Sequence, residues 1–162
     1  QSAEAIVARN PEGIVLSPGP CGPAEAGICV ELVRLATAHN IPLLGICLGH
    51  QAIGYAFEAN VERGPSPVHG HVATITHDAG GIHYRLASPH KATRYHSLIV
   101  AERDLPSCLR VTARSTEDDI IMGLEHTKKN IHGIQYHPES IASEHGHHVL
   151  QNFIDLCQTH RT

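Results

Sequence analysis

Cys47 lies at the centre of the pentapeptide GICLG (residues 45–49), which has the form Gly-X-nucleophile-X-Gly. The apolar run before it predicts a buried strand, and the residues after it predict a helix. At such a junction the flanking glycines permit a sharp turn that projects the central side chain from the sheet edge. The N–H groups at the start of the helix would favour a thiolate. The pattern predicts a thiol nucleophile, and an ordinary buried cysteine is the alternative.

A thiol nucleophile needs a base, and the base needs a group that orients it. His137 follows a predicted strand, and Glu139 comes two residues later. Residues i and i+2 of an extended segment project to one side. Glu139 can therefore accept from one imidazole nitrogen while the other nitrogen faces Cys47. We predict a Cys47–His137–Glu139 triad with the sulfur within about 4 Å of a His137 nitrogen. A strand-end histidine beside a solvated glutamate is the alternative.

The loop at residues 17–20, with the sequence SPGP, leaves the first predicted strand. In a doubly wound sheet this loop would lie beside the Cys47 turn, at the edge where such sheets bind ligands. Its prolines stiffen the backbone, and Gly19 permits close approach. The N–H groups of Gly19 and Leu48 could therefore hold the negative oxygen of a tetrahedral intermediate. The alternative is a plain Pro/Gly turn.

Apolar patterning predicts the elements that position these groups. Short buried runs at residues 14–16 and 43–46 are typical of strands, and residues 24–39 and 51–57 carry the pattern of helices. Short β-rich segments, an apolar strand and a closing helix follow at residues 71–76, 95–100, 110–113, 120–125, 131–137 and 149–157. The order predicts an α/β fold with a mostly parallel, doubly wound sheet, helices on both faces and additional, partly antiparallel strands.

Composition excludes several classes of protein. The 162 residues suit one compact domain. Twelve Lys and Arg against sixteen Asp and Glu give a net charge of −4, which disfavours binding to nucleic acid or acidic membranes. No apolar run approaches the roughly 18 residues of a membrane-spanning helix, and the N-terminus lacks the pattern of a signal peptide. We therefore expect a cytoplasmic protein.

Cysteine and histidine usage indicates neither a disulfide framework nor a metal site. The five cysteines are an odd number without Cys-X-X-Cys spacing, which favours a reducing compartment. Fifteen histidines are scattered along the chain, and the His-X-His pairs at residues 69–71 and 145–147 lack the further ligands of the usual zinc motifs. We expect structural or surface roles for these histidines.

The motifs GICLGHQ (residues 45–51) and YHPES (residues 136–140) together resemble the class I, triad-type glutamine amidotransferases. Further segments resemble the chorismate-utilising branch of that family, the glutaminase subunits of anthranilate synthase and 4-amino-4-deoxychorismate synthase. These segments are LSPGPCGPAEAG (residues 16–27), ATRYHSL (92–98), IMGLEH (121–126) and HPESIASEHG (137–146).

The resemblance implies a role for each residue that matches a family motif. Catalytic roles fall on Cys47 as nucleophile, His137 as base and Glu139 as the orienting carboxylate. Gly19 and Leu48 are implied to form the oxyanion hole, and Gln51 and the Ser97–Leu98 backbone are implied to contact the amino acid portion of the substrate. Independently of the resemblance, Gln51 lies one helical turn after Cys47, within reach of a ligand at the thiol.

The implied reaction is hydrolysis of L-glutamine to glutamate and ammonia through a γ-glutamyl thioester, with no metal or organic cofactor. The implied partner is a separate, chorismate-binding synthase subunit that uses the ammonia. The family usually opens with a βα unit before the equivalent of Gly13. We therefore expect residues 1–162 to form one glutaminase domain that is truncated at its N-terminus relative to the family. The family's HGK motif reads His-Gly-His here, with His71 in the lysine position.

Two alternatives stay open at this point. The chain could be another Cys–His α/β hydrolase that acts on peptides or esters. It could also be a partner-binding module in which an incomplete sheet fails to align the triad.

Overall fold

The computed structural model describes residues 1–160 as a seven-stranded sheet with helices on both faces. The strands are β1 (Ile14–Leu16), β2 (Leu43–Ile46), β3 (Val61–His77), β4 (His90–Val100), β5 (Leu109–Ser115), β6 (Ile121–His126) and β7 (Ile131–Ile134). The helices are α1 (Ala3–Val7), α2 (Cys29–Ala38), α3 (Leu48–Ala56) and α4 (Gly146–His160), with short 3₁₀ helices at Pro23–Glu25 and Gly81–His83. Across residues 1–160, no helix has the length and apolar character needed to cross a membrane.

The strands are ordered β1-β2-β7-β6-β5-β3-β4 in the sheet. The predicted α/β fold is confirmed, but the sheet is more antiparallel than the sequence indicated. Strand β2 pairs in parallel with β1 and β7, whereas the other four strand pairs are antiparallel. The reason is the length of the connections. Strands β5, β6 and β7 follow one another through loops of a few residues, and a parallel pair needs a crossover of about a dozen or more.

Several elements differ in extent from the sequence prediction. Strand β3 has 17 residues and runs through a Gly-Pro-Ser-Pro stretch where its pairing with β4 shifts register. Prolines are tolerated at such irregularities because the local ladder bonds are already interrupted. The helix predicted over residues 24–39 begins only at Cys29, after a turn in which Gly27 has φ of +60°. Helix α1 was not predicted, because its five residues are too few to show a period.

The core consists of two apolar layers, one on each face of the sheet. Strand β2 is buried on both faces, and its neighbouring residues Leu43 and Leu44 belong to opposite layers. Helices α1, α2 and α3 cover the first layer, and α4 covers the second. Strand β2 is thus fixed from both sides, and it ends at residue 46, one residue before the predicted nucleophile.

The outer side of β1 is an open sheet edge within the described residues. Strand β1 pairs with β2 on its other side only. Beside it lies an apolar groove of about 400 Å³ lined by Val15, Pro18, Phe153 and Ile154, among others. Val15 and Ile154 are each about half exposed. An unpaired edge next to exposed apolar side chains is a template for association with another chain.

We expect the 162-residue chain to self-associate through this edge. Replacing Val15 with Lys places a charge beside the groove and should weaken the association, because inward-pointing charges oppose edge-to-edge pairing. Sedimentation velocity over a range of concentrations measures the effect. Tyr84→Lys is the control, since Tyr84 is similarly exposed but lies away from the groove. A chain that stays monomeric at every concentration contradicts this prediction, as does an equal response of both variants.

Candidate active site

A strained turn between β2 and α3 presents Cys47. Its backbone has φ of 53° and ψ of −100°, a conformation that residues with a side chain rarely adopt. The glycines on either side make the turn possible. A Cβ at position 45 would lie 2.4 Å from backbone atoms of Gly49, and a Cβ at position 49 would lie 2.6 Å from the carbonyl oxygen of Leu16. This is the strand-to-helix geometry of a nucleophile elbow.

The sulfur of Cys47 is buried between a hydrogen-bond acceptor and a donor. Its thiol donates to the carbonyl oxygen of Tyr95 at 3.5 Å, and its sulfur accepts from Nε2 of Gln135 at 3.6 Å. Burial raises the pKa of Cys47 to about 11, against the opposing effect of the Leu48 N–H, and the charge of Glu139 adds to the increase. The expectation that the helix N-terminus favours a thiolate is therefore wrong for the free protein, because desolvation outweighs it.

His137 and Glu139 form the pair that their spacing predicts. Nδ1 of His137 lies 2.6 Å from Oε1 of Glu139, while its Nε2 is buried and has no hydrogen-bond partner within residues 1–160. The main chain of His137 is tied to β4 by a bond from its N–H to the Thr93 carbonyl oxygen, at 2.9 Å. The rings of His137 and Tyr95 meet edge to face, with centroids 5.2 Å apart. Tyr95 thus contacts both the base and the sulfur, and the thiol bonds to its carbonyl rather than to His137.

A cavity of about 820 Å³ opens beside the sulfur. It is lined by Cys47 and by four further residues of the predicted site, namely Gly19, Gln51, Ser97 and Leu98. Leu48 is not part of that lining, but it touches the loop that carries Gly19, because a Cβ on Gly19 would lie 2.9 Å from Leu48 Cδ2. His137 and Glu139 also lie outside the lining, and Glu139 borders the apolar groove beside β1.

Gln135 is a site residue that sequence reasoning missed. Its side chain is fully buried, and it joins the sulfur to the helix after the elbow. Gln51 donates through Nε2 both to Oε1 of Gln135 at 3.3 Å and to the carbonyl oxygen of Leu98 at 3.2 Å. A signal was present in the sequence. Gln135 is a polar residue in an otherwise apolar strand segment, two positions before His137 and so on the same side of an extended chain.

His96, also on the cavity wall, is a neutral structural histidine. Its Nδ1 bonds to the carbonyl oxygen of Leu98 at 3.0 Å, and its Nε2 accepts from Nε of Arg94 at 3.1 Å. Burial lowers the pKa of His96 to about 4, and the charge of Arg94 lowers it further. The imidazole therefore holds the Leu98 carbonyl in place without carrying charge.

The histidine pairs noted in the sequence do not assemble into a metal centre. His71 bonds through Nε2 to Glu117 at 2.6 Å. Among residues 1–160 no group of three or more histidine, cysteine or acidic side chains could hold a metal ion.

The model of the family described as glutamine amidotransferase class-I matches residues 1–156. The chain belongs to this family. The resemblance inferred from the GICLGHQ and YHPES motifs is therefore confirmed, and the elbow and cavity described above are those of a class I glutamine amidotransferase.

Individual relatives agree with the family match. The chain is 54% identical over 157 residues to anthranilate synthase component 2 of Azospirillum brasilense, covering 97% of this chain and 80% of the relative. It is 48% identical over 149 residues to aminodeoxychorismate synthase component 2 of Escherichia coli, covering 92% and 79%. A solved structure of a GMP synthase subunit from Thermoplasma acidophilum has a TM-score of 0.87 at 26% identity, covering 99% of this chain and 78% of that one.

Replacing Gly49 with Ala tests the close approach at the elbow. The new Cβ would meet the Leu16 carbonyl oxygen, a backbone atom that cannot rotate away. We expect a loss of about 1–3 kcal/mol in the free energy of unfolding, measured by denaturant titration. Gly80→Ala is the matched control, because a Cβ there makes only ordinary contacts at 3.6 Å. Equal stability of the two variants would contradict the steric argument.

The pH dependence of Cys47 alkylation tests the burial of the thiol. Because its pKa is about 11, the thiolate fraction in the free protein should keep rising about tenfold per pH unit from neutral pH to about pH 10. Iodoacetamide labelling of the Cys47 peptide, read by mass spectrometry, measures this rate. In the denatured chain the same cysteine should level off near pH 9. A plateau below pH 9 in the folded protein would show that the thiol is not held neutral by burial.

Proposed function

We propose that this chain hydrolyses L-glutamine with Cys47 as nucleophile, His137 as base and Glu139 as the group that orients the base. One observation carries the proposal. The elbow holds Cys47 in the wall of a cavity, and a single residue, Tyr95, contacts both its sulfur and the ring of His137. A nucleophile, a base and an orienting carboxylate in this relation are the elements of covalent acyl transfer.

The reaction begins when the thiol leaves the Tyr95 carbonyl and gives its proton to Nε2 of His137. That nitrogen is free to accept, and Glu139 on Nδ1 stabilises the imidazolium that forms. The thiolate attacks the side-chain amide carbon of glutamine. The N–H groups of Gly19 and Leu48 hold the negative oxygen of the tetrahedral intermediate.

Collapse of the intermediate breaks the carbon–nitrogen bond, and His137 returns its proton to the departing ammonia. The γ-glutamyl group remains on the sulfur as a thioester. His137 then takes a proton from water, whose oxygen attacks the thioester, and the Cys47 thiolate leaves as glutamate forms. Throughout, Gln51 and the Ser97–Leu98 backbone contact the amino acid portion of glutamine, which is why they line the cavity beside the sulfur.

We further propose that the ammonia passes to a chorismate-binding synthase subunit in a hetero-oligomer. The names of the relatives, component 2 of anthranilate synthase and of aminodeoxychorismate synthase, support this partner. In this proposal residues 1–162 act as one glutaminase domain, and β1 is the strand beside which the family's additional βα unit would pair. We place the enzyme in the cytoplasm, where reducing conditions keep the nucleophile a free thiol.

A second candidate function has one observation in its favour. The thiol bonds to Tyr95 and not to His137, which suits a module that binds its partner without catalysis. In the first proposal the same bond describes the resting enzyme before glutamine arrives. Activity of the unaltered chain with its partner distinguishes the two.

Replacing Cys47 with Ser tests the proposed nucleophile. Glutamate release from L-glutamine should fall at least about a thousandfold, because a hydroxyl is far harder to deprotonate than a thiol. Synthesis by the partner with ammonium salt as nitrogen source should persist. Cys108→Ser is the control, since Cys108 lies outside the cavity lining and should leave activity intact.

Three outcomes would contradict the proposal. Retained glutamine hydrolysis in Cys47→Ser excludes Cys47 as the nucleophile. Turnover of peptides or esters in place of glutamine favours another Cys–His hydrolase. No turnover by the unaltered chain, with or without the synthase subunit, favours the non-catalytic module.

A further inference from the structure

Gln135 places a side-chain N–H against the reacting sulfur. It follows β7 directly, its backbone N–H is bonded to the Met122 carbonyl oxygen at 3.0 Å, and its side chain is fully buried. Nε2 of its amide donates to the sulfur of Cys47 at 3.6 Å. In the mechanism proposed above, this amide has no role.

The orientation of that amide is fixed by its neighbours. The carbonyl oxygen of Leu98 can only accept, so the atom of Gln51 that faces it at 3.2 Å must be the donor nitrogen Nε2. The same nitrogen faces Gln135 at 3.3 Å, so Gln135 must present its oxygen there. Its NH₂ group is therefore the end that reaches the sulfur. A flipped amide would set two donors against each other and two electron-rich atoms together.

The carbonyl of Leu98, on which this order depends, is held from a second direction. Arg94 is almost fully buried and bonded to Asp118 at 3.0 Å. A guanidinium can only donate, so Nε2 of His96 must accept from it, and Nδ1–H of His96 must donate to the Leu98 oxygen. The donor direction thus runs unbroken from Arg94 to the carbonyl, and the Gln51–Gln135 pair continues from that carbonyl to the sulfur.

The two partners of the sulfur respond oppositely when the thiol loses its proton. The carbonyl of Tyr95 can bind only the neutral thiol, because it offers no hydrogen to a thiolate. The N–H of Gln135 can bind both forms, and its bond to the thiolate is charge-assisted and stronger. Of the two contacts, the one to Gln135 therefore favours the reactive form of the sulfur.

We propose that Gln135 is a catalytic residue whose amide N–H stabilises the Cys47 thiolate, both before attack on glutamine and when the thiolate leaves the thioester. Gln51 is a positioning residue that fixes the Gln135 amide. The proton of the thiol still goes to His137, and Gln135 forms no covalent bond. The inference rests on the proposed role of Cys47 as nucleophile.

Gln135→Leu removes the donor and keeps the approximate size of the side chain. We expect the rate of Cys47 alkylation at neutral pH and kcat/KM for glutamine each to fall about ten- to a hundredfold, the effect of losing one hydrogen bond to a charged group. Gln151→Leu is the matched control, because Gln151 is exposed on α4 and bonds to Asp155. Circular dichroism melting of each variant reports whether it folds.

Gln135→Glu keeps the shape and the oxygen that accepts from Gln51, so it decides the question if the leucine variant fails to fold. Its protonated acid can donate to the sulfur, whereas its ionised carboxylate cannot and repels a thiolate. We expect its kcat/KM, relative to the unaltered enzyme, to fall further as pH rises through the ionisation of the new carboxyl group. A merely structural glutamine would give a loss that is independent of pH.

The inference is overturned if both variants fold and match the unaltered protein in alkylation rate and in the pH profile of kcat/KM. A loss of equal size at every pH in Gln135→Glu overturns it as well. Running Cys47→Ser beside them separates this result from the proposed function. An active Cys47→Ser removes the proposed nucleophile, whereas an inactive Cys47→Ser with wild-type-like Gln135 variants removes the role of Gln135 alone.

Discussion

The close approach of three backbone segments at the elbow is the constraint on which the site depends. Residues 45 and 49 lie so near each other, and Gly49 so near Leu16, that no side chain fits at either glycine. This contact packs the start of α3 against β1 and forces Cys47 into its positive φ. The strain is sustained because β2 is paired on both sides and buried on both faces. The loop of Gly19 and the strand end of His137 are positioned by the same two neighbours of β2.

The same burial that fixes the thiol also suppresses its reactivity. A sulfur with a pKa of about 11 is almost entirely protonated at neutral pH, and its hydrogen bond to the Tyr95 carbonyl favours that state. The groups that favour the thiolate are the N–H of Leu48 and the amide of Gln135. Glutamine binding must therefore bring the thiol from Tyr95 to His137. An enzyme that keeps its nucleophile neutral until the substrate arrives is protected from wasteful reactions of the thiolate.

Local spacing was sufficient to predict the elbow and the His137–Glu139 contact, because each depends on the geometry of a few consecutive residues. The extent of the antiparallel half of the sheet was not predictable in this way. Strand β3 runs through prolines that a local rule would read as a break. The protonation of Cys47 was wrongly predicted because the helix N-terminus is visible in the sequence, whereas the burial that outweighs it comes from residues far along the chain. Tyr95 and Gln135 reach the sulfur from 48 and 88 residues away.

Trapping the acyl-enzyme tests the account most directly. The chain, with its synthase partner, is mixed with L-glutamine, quenched in acid during turnover and digested, and each cysteine peptide is weighed by mass spectrometry. The account predicts a γ-glutamyl adduct on the peptide that carries Cys47, absent when glutamine is omitted. Release of glutamate without any adduct on Cys47, or with the adduct on one of the other four cysteines, would contradict it.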